Sequence, residues 1–485
     1  MQELMYTGHP LVDVGVATIT AFAHKYEPSE VTSEELALVR QYIEDRYTVR
    51  PMNSVVSVVF TTNSDYLQPS WTLEKRREMA RLLLNGDYPK HKVGGQKCVF
   101  CGRSASMKAF RQYIPLFGGE GAFNFYPEGG LGIPVCSACM LAIQAFPLGS
   151  AKCNGRVLIV HSDCNEVTYA FASRFLEKNL NYLQMASLEK IPDMSFPRTL
   201  LLETLLSIEE DRLRINRRRP CSITAYHLTN YGTSANVTLY HLPLGVMNFI
   251  LDANTPTYRQ AWNDLVARGW ELSRAKSKKT KPEDQEKGES RQRNFFYEDL
   301  FTLPEQASRF LRTYFLRRPI KSTSDTDPRR TYSLSKDLGL ISWQLTELFL
   351  ERVMNMDQTR ITAIKQVADK LADYAIRQDE RLFLQIHRAR GYPELRWRLI
   401  NASISSVKAG GPPLLSFEDF IEVFEEGEDI ARPDWSLARD LVLIRMIERM
   451  HQAGVFSRHP ELVQEAAETA QTVEEETRPE PETVA

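Results

Sequence analysis

The sequence lacks the short motifs that mark most enzymes. It contains no Walker loop, no G-x-G-x-x-G, no G-x-S-x-G and no H-E-x-x-H. Its nine histidines are scattered and form no ligand spacing. His161 and Asp163, at the end of an expected strand, come nearest to an acid–base or metal pair, and a surface turn explains them as well. We therefore predict a protein that is not an enzyme.

Long apolar runs and an excess of one charge are also missing. No stretch approaches the ~20 apolar residues that cross a bilayer, and residues 1–10 lack a basic region followed by an apolar segment. The 60 Lys and Arg nearly balance the 62 Asp and Glu, so a nucleic-acid surface requires local clusters. Four of only seven cysteines have metal spacing, which favours a reducing compartment over disulfides. We expect a soluble, cytoplasmic protein without membrane contact.

The four patterned cysteines form two Cys-x-x-Cys knuckles, Cys98 with Cys101 and Cys136 with Cys139. Two knuckles around one loop supply the four thiolates that a tetrahedral zinc ion prefers. An all-cysteine shell leaves no open position, so we predict a structural zinc. No histidine lies between Cys101 and Cys136, which argues against a nuclease of the His-Asn-His type. The alternative is two unrelated thiol pairs in a core.

Signals for nucleic-acid binding come from the loop between the knuckles and from two arginine groups. The loop is rich in glycine and aromatic residues, and aromatic or Asn side chains can wedge between bases or read their edges. Clustered arginines suit bidentate contacts with phosphate, although a solvated surface position is commoner for any single arginine. The residues that we predict to contact DNA are Phe123, Asn124, Phe125, Tyr126, Arg217, Arg218, Arg219, Arg317 and Arg318.

Periodicity predicts an α+β fold. The Val-rich run 54–62 is typical of a strand buried on both faces. Residues 156–161 are predicted to form another strand, and residues 221–228 are predicted to form a hairpin with residues 235–242. For residues 9–24, periodicity does not distinguish a strand from a short buried helix. Helices are predicted over 33–48, 71–86, 166–186 and 198–211, and from residue 337 onward amphipathic stripes with short breaker-rich links predict a helical bundle.

The predicted architecture is a mixed N-terminal body with an inserted four-cysteine zinc ribbon, followed by a C-terminal helical bundle. The expected parts are residues 1–95 (N-terminal part of the body), 96–150 (zinc-ribbon module), 151–335 (rest of the α+β body, with a flexible basic loop near 271–293), 336–458 (helical bundle) and 459–485 (disordered acidic tail).

Three segments carry a resemblance to a known family. TGHPLVDVGVATI, NSVVSVVFTTNSD and above all CVFCG…IPLFGG…FNFYPEGGLGIPVCSACMLAIQAFPLG resemble the large subunit of type I-B CRISPR Cascade, in the branch with a zinc ribbon. The similarity covers roughly residues 5 to 160. The C-terminal region matches only in type, because those subunits end in a bundle equivalent to the small subunit.

The resemblance implies a subunit near the 5′ handle of a crRNA. Such a subunit reads a protospacer-adjacent motif in target double-stranded DNA, helps to open the strands and recruits a helicase-nuclease or, in some systems, a transposition apparatus. Its other implied partners are the backbone, handle-binding and small Cascade subunits. Small subunits of this type can start inside the large-subunit gene, so Met354 or Met356 is a candidate internal start.

Two functions of other classes stay open. A zinc-containing nuclease or hydrolase would need an open metal site or paired carboxylates, and the sequence displays neither. A pure scaffold subunit would make no contact with nucleic acid.

Overall fold

The computed structural model describes residues 3–88, 93, 95–117, 132–185, 187–214, 221–231, 235–272, 292–427 and 430–467, without the side chains of residues 210–214. The chain forms two compact units, residues 1–247 with 287–292 and residues 248–286 with 293–485. The predicted α+β architecture with a helical C-terminal region is confirmed. Residues 248–286 and 293–335, which the sequence analysis assigns to the body, belong to the second unit.

The first unit is built around one buried helix. This helix, α1, lies within residues 9–24, for which the sequence predicts either a strand or a helix. Every residue from Leu11 to Ala21 is buried. A helix that is mostly apolar and buried on all sides belongs in the centre of a fold. The helices of this unit are α1 (Pro10–Phe22), α2 (Ser33–Tyr47), α3 (Asn53–Val59), α4 (Leu73–Asn85), α5 (Ser137–Ala145), α6 (Asn165–Gln184) and α7 (Pro197–Arg214).

Two antiparallel sheets complete the first unit. β1 (Met107–Ala109) pairs with β2 (Ile133–Val135) in a two-stranded ribbon. The second sheet has the order β3-β4-β5-β6, which confirms the predicted strand at 156–161 and the predicted hairpin. Its strands are β3 (Ala151–Cys153), β4 (Arg156–Ser162), β5 (Ile223–Thr229) and β6 (Asn236–Leu242).

The strand predicted at 54–62 is wrong, because residues 53–59 form helix α3. Val55, Val56 and Val59 are buried, while Ser54 and Ser57 on the other side are partly exposed. This is helical spacing with one apolar face. Packing of that face overrides the preference of a valine run for extended backbone, which is weak compared with tertiary burial.

The second unit is helical, and the predicted C-terminal bundle is confirmed. Its longest helices, α14 and α18, pack against each other, and α14 contributes the buried stripe Ile361, Ile364, Val367 and Leu371. The helices are α8 (Leu244–Ala253, which spans the boundary between the units), α9 (Arg259–Arg268), α10 (Phe295–Leu300), α11 (Ala307–Phe310), α12 (Leu334–Asp337), α13 (Trp343–Arg352), α14 (Gln358–Arg377), α15 (Leu382–Arg388), α16 (Tyr392–Lys408), α17 (Phe417–Val423), α18 (Trp435–Gln452) and α19 (Val455–Arg458).

Two further predicted segments fall outside the described residues. These are most of the basic loop near 271–293 (residues 273–291) and most of the acidic tail (residues 468–485). In the part of the chain that the structure describes, no helix combines the length and the apolarity needed to cross a bilayer.

Candidate metal centre and arginine clusters

The two knuckles are held in place by different local structures. In the first, Gly102 adopts a φ of +73°, which a glycine tolerates without strain, and its N–H donates to the Cys98 carbonyl at 2.9 Å. In the second, Cys136 is the N-cap of α5 and its Sγ accepts a hydrogen bond from the Cys139 N–H at 3.4 Å. The Val99 N–H donates to the Pro134 carbonyl at 3.1 Å, which ties the first knuckle to β2.

The four thiols converge, as the sequence predicted. All four sulfurs lie within 4.8 Å of one another, and Cys101 Sγ is 3.5 Å from Cys136 Sγ. A tetrahedral shell with metal–sulfur bonds of about 2.3 Å requires sulfurs about 3.8 Å apart, so the spacing fits one metal ion. Within the described ranges, this is the only group of three or more His, Cys, Asp and Glu side chains close enough to share a metal ion.

The electrostatics of the cluster favour a cation at its centre. The pKa of the Cys98 thiol is lowered because the thiols of Cys136 and Cys139 donate hydrogen bonds to its sulfur. The pKa of Cys139 is raised, because its thiol hydrogen-bonds to the sulfurs of Cys136 and Cys98 and burial adds to that effect. The first thiolate therefore makes the next harder to form, and a bound divalent ion would relieve this repulsion.

Arg103 supports the first knuckle. Its Nε donates to Cys101 Sγ at 3.3 Å, and one terminal nitrogen donates to the Glu3 carbonyl at 2.6 Å. A positive side chain bonded to this sulfur would offset part of the negative charge that four thiolates bring to a bound metal ion.

The metal module is packed firmly onto the first unit. All nine residues of α5 are buried, and α1 approaches α5 so closely that a Cβ on Gly15 would lie 1.8 Å from the Ala142 carbonyl oxygen. Only glycine fits at that contact, so the sequence of α1 controls the position of the helix that carries Cys136 and Cys139.

A buried glutamine links the module to the segment that follows β1, and the sequence reasoning missed it. Gln144 donates from Nε2 to the Tyr113 carbonyl at 2.8 Å and accepts from the Tyr66 hydroxyl at 3.1 Å. Its backbone carbonyl accepts from the Tyr47 hydroxyl at 2.8 Å. The only sequence signal was one amide side chain within the apolar run MLAIQAF.

The same segment has a second anchor at the end of β5. Arg111 donates to the side-chain oxygen of Asn230 at 2.9 Å and to its backbone carbonyl at 3.0 Å. Asn230 is fully buried. Together with the bond from Gln144 to Tyr113, these bonds fix residues 111–113, which precede the predicted DNA-contacting aromatic residues in the chain.

Seven of the predicted DNA contacts lie outside the described residues. They are Phe123, Asn124, Phe125 and Tyr126 between the knuckles and Arg217, Arg218 and Arg219 after α7.

The predicted DNA contact at Arg317 is contradicted by its position. Its side chain is completely buried, pairs with Asp337 at 3.2 Å and stacks over the Tyr332 ring at 3.8 Å. A guanidinium that is shielded from solvent and already paired cannot reach a DNA phosphate in this conformation, so Arg317 is a structural residue. Arg318 is partly exposed and pairs with the buried Asp440 at 3.2 Å.

His161 and Asp163 do not form the acid–base pair that their spacing suggested. His161 Nε2 lies 3.1 Å from Asp13 Oδ2, while Asp163 accepts from the Ser222 N–H at 2.8 Å. Burial alone would raise the pKa of Asp13, but hydrogen bonds from His161 and Thr7 outweigh it and the pKa is lowered. Asp13 therefore serves as a charged acceptor that ties the residues before α1 to β4.

Comparison with known proteins gives no relative, since no family model matches the chain and no significant match occurs among curated proteins or solved structures.

Proposed function

We propose that this protein is the non-catalytic large subunit of an RNA-guided DNA-targeting complex similar to type I-B Cascade. The observation that carries the proposal is the convergence of Cys98, Cys101, Cys136 and Cys139 within 4.8 Å, in the segment whose sequence most resembles that family. The helical C-terminal unit supports it, because the large subunits of that family end in a helix bundle.

The metal that we propose is zinc, held by these four cysteines as a structural ion. Zinc would neutralise the thiolates and join the two knuckles, and a closed four-sulfur shell leaves no position for substrate. The role of the chain is then to hold residues 118–131, which carry Phe123, Asn124, Phe125 and Tyr126, on a rigid base made by β1, β2 and α5.

In this function the protein reads a protospacer-adjacent motif in duplex DNA, while pairing with crRNA reads the remaining sequence. Basic side chains would capture the duplex through its phosphates, and the segment between the knuckles would meet the bases. The other partners are the Cascade subunits and a helicase-nuclease or a transposition apparatus.

The internal start is a further hypothesis within this function. Met354 and Met356 lie between α13 and α14, so a product that begins at either would retain α14 to α19. A short C-terminal polypeptide that still appears in the purified complex after both methionines are replaced by leucine would reject the hypothesis.

The test is co-purification of the chain with its neighbouring subunits, followed by sequencing of any bound RNA. We expect repeat-derived guide RNA in the complex, and binding of a matched duplex that depends on a short flanking motif. Absence of RNA together with no motif dependence would contradict the proposal. Cleavage of DNA by the isolated chain with added divalent metal would favour the nuclease alternative instead, and a lack of any salt-dependent DNA binding would favour the scaffold.

A further inference from the structure

The second unit contains an open cleft in which four of the ten lining residues are cationic. It lies along the π-helical turn Leu311–Phe315 and the residues that follow, and its volume is about 620 Å³. Its charged lining residues are Glu305, Arg309, Arg312, Arg318 and Lys321. Four of these five carry positive charge, and Glu305 is the only acidic residue that the structure places in the lining.

A buried carboxylate positions two of the four cations. Arg312 Nε bonds to Asp440 Oδ2 at 2.6 Å, and a terminal nitrogen of Arg318 bonds to Asp440 Oδ1 at 3.2 Å. Asp440 is fully buried, whereas the side chains of Arg312 and Arg318 are 37% and 26% exposed. The carboxylate thus holds both guanidiniums from the inside, while their outer parts line the cleft.

The same carboxylate is shared by a third arginine, so the cluster retains excess positive charge. Arg439 bonds to Asp440 Oδ1 at 2.8 Å and donates to the Ala389 carbonyl at 2.6 Å. Three guanidiniums therefore face one carboxylate. The two that line the cleft are preorganised, which lowers the conformational entropy lost when an anion binds.

The outer part of the cleft adds two more cations. Arg309 and Lys321 are exposed, and among the described residues no carboxylate forms a salt bridge with Arg309. Planar guanidinium forks match phosphate oxygens in a bidentate way, and a polynucleotide carries one negative charge on every nucleotide whatever its sequence. An acidic peptide would supply such a charge only where its sequence provides Asp or Glu.

We infer that this cleft binds the phosphates of a nucleic-acid strand, an inference that takes its ligand class from the proposed function. Arg309, Arg312, Arg318 and Lys321 contact the phosphates, and Asp440 is a positioning residue.

The test uses the full chain with Arg309→Ala and Lys321→Ala together, and Arg381→Ala with Lys408→Ala as the matched control. Both pairs remove two exposed positive charges from the second unit. Binding of a short single-stranded DNA is measured between about 50 and 200 mM salt. We expect the Arg309→Ala/Lys321→Ala variant (the cleft pair) to bind the DNA about tenfold or more weakly than the wild type. The negative slope of log K against log salt should become shallower by about 1.4, which is about 0.7 for each lost cation. The control pair is expected to keep the wild-type slope.

Equal slopes for the cleft pair and the control pair would overturn the inference. The inference would also be overturned if the cleft variant lost binding of polyglutamate but kept the wild-type salt dependence of DNA binding. That result would assign the cleft to acidic peptides. If the double variant fails to fold, as judged by thermal unfolding, Arg309→Ala alone decides, with an expected slope change of about 0.7.

A chain that binds DNA through the cleft but never co-purifies with guide RNA contradicts the proposed function alone. A guide-containing complex whose cleft variant keeps the wild-type slope contradicts the cleft alone.

Discussion

Two clusters concentrate charge in opposite ways. One is the cysteine cluster in the first unit, and the other is the arginine cluster in the second unit, in which Arg312, Arg318 and Arg439 surround Asp440. Four sulfurs lie within 4.8 Å of one another, and in the thiolate form they need a cation from outside the chain. Three guanidiniums surround one carboxylate, so this cluster contains part of its own compensation and keeps a surplus positive charge at a solvent-accessible edge.

The difference shows what each cluster needs for stability. If the cysteine cluster holds the metal ion that its geometry fits, it depends on an ion that the solution must supply, and its folding is coupled to that ion. The arginine cluster depends on a single buried side chain, and any anion from solution would add to an arrangement that is already bonded. Removal of one component should therefore be far more damaging in the first cluster than in the second.

The strongest way to break the comparison is to remove the metal ligands. Cys98→Ser with Cys136→Ser should abolish metal binding and unfold the module, because structural zinc sites contribute about 10–16 kcal/mol of binding free energy. Metal analysis and thermal unfolding measure the two effects. Cys164→Ser with Cys221→Ser, two buried cysteines outside the cluster, should keep the full metal content. Unchanged metal in the first variant would show that these thiols are not ligands.

The corresponding change in the arginine cluster is Asp440→Asn. It leaves the buried guanidinium of Arg439 and the partly exposed guanidiniums of Arg312 and Arg318 without their counter-charge. Loss of one partner of a buried ion pair costs about 3–5 kcal/mol, and water screens the two exposed arginines, so we expect a loss near the lower end of that range. Denaturant unfolding measures the loss. Asp325→Asn removes a carboxylate that is 96% exposed and paired with Arg330, and no measurable change is expected there. Equal stability of the two variants would mean that Asp440 does not hold the cluster together.

A finer change removes the cation beside the sulfurs and leaves the ligands intact. Arg103→Ala deletes the N–H···S bond to Cys101, and loss of such a supporting contact typically lowers metal affinity by about 10- to 100-fold. Competition with a chelator measures the affinity. Lys97→Ala removes an exposed positive charge next to the first knuckle, and it should retain wild-type affinity. Equal affinities of the two variants would assign Arg103 to packing alone.

The smallest expected effect is a pH dependence in the arginine cluster. His387 is buried, and burial together with the charges of Arg318 and Arg439 lowers its pKa to about 3. An unfolded histidine binds a proton near pH 6.5, so between these values the unfolded state holds more protons. The free energy of unfolding should therefore fall as pH falls, by at most about 1.4 kcal/mol per pH unit.

His387→Gln should reduce this slope between about pH 6.5 and 5, a range above the ordinary pKa of carboxylates. Identical slopes in wild type and His387→Gln would show that His387 takes up its proton in the folded state as easily as in the unfolded state.

Local patterns explain which features could be predicted from the sequence. The two knuckles were visible because the two cysteines of each pair are separated by two residues. The convergence of the two pairs also required β2 and α5 to bring distant residues together. The stripe on α14 and the hairpin of β5 and β6 were visible because each repeats within one element. The valine run before Phe60 was misread, because its preference for a strand was overridden by a buried surface made of distant residues.

The amino-acid sequence by itself determined the two cysteine knuckles and the helical nature of the C-terminal region, because spacing within a few residues is sufficient for both. Only the tertiary structure decided which arginines are structural and which line a cleft. Arg317 and Arg318 are neighbours in sequence, yet one is buried against Asp337 and the other reaches Asp440, 122 residues away. Burial and charge compensation depend on such distant neighbours, and a linear pattern does not contain them.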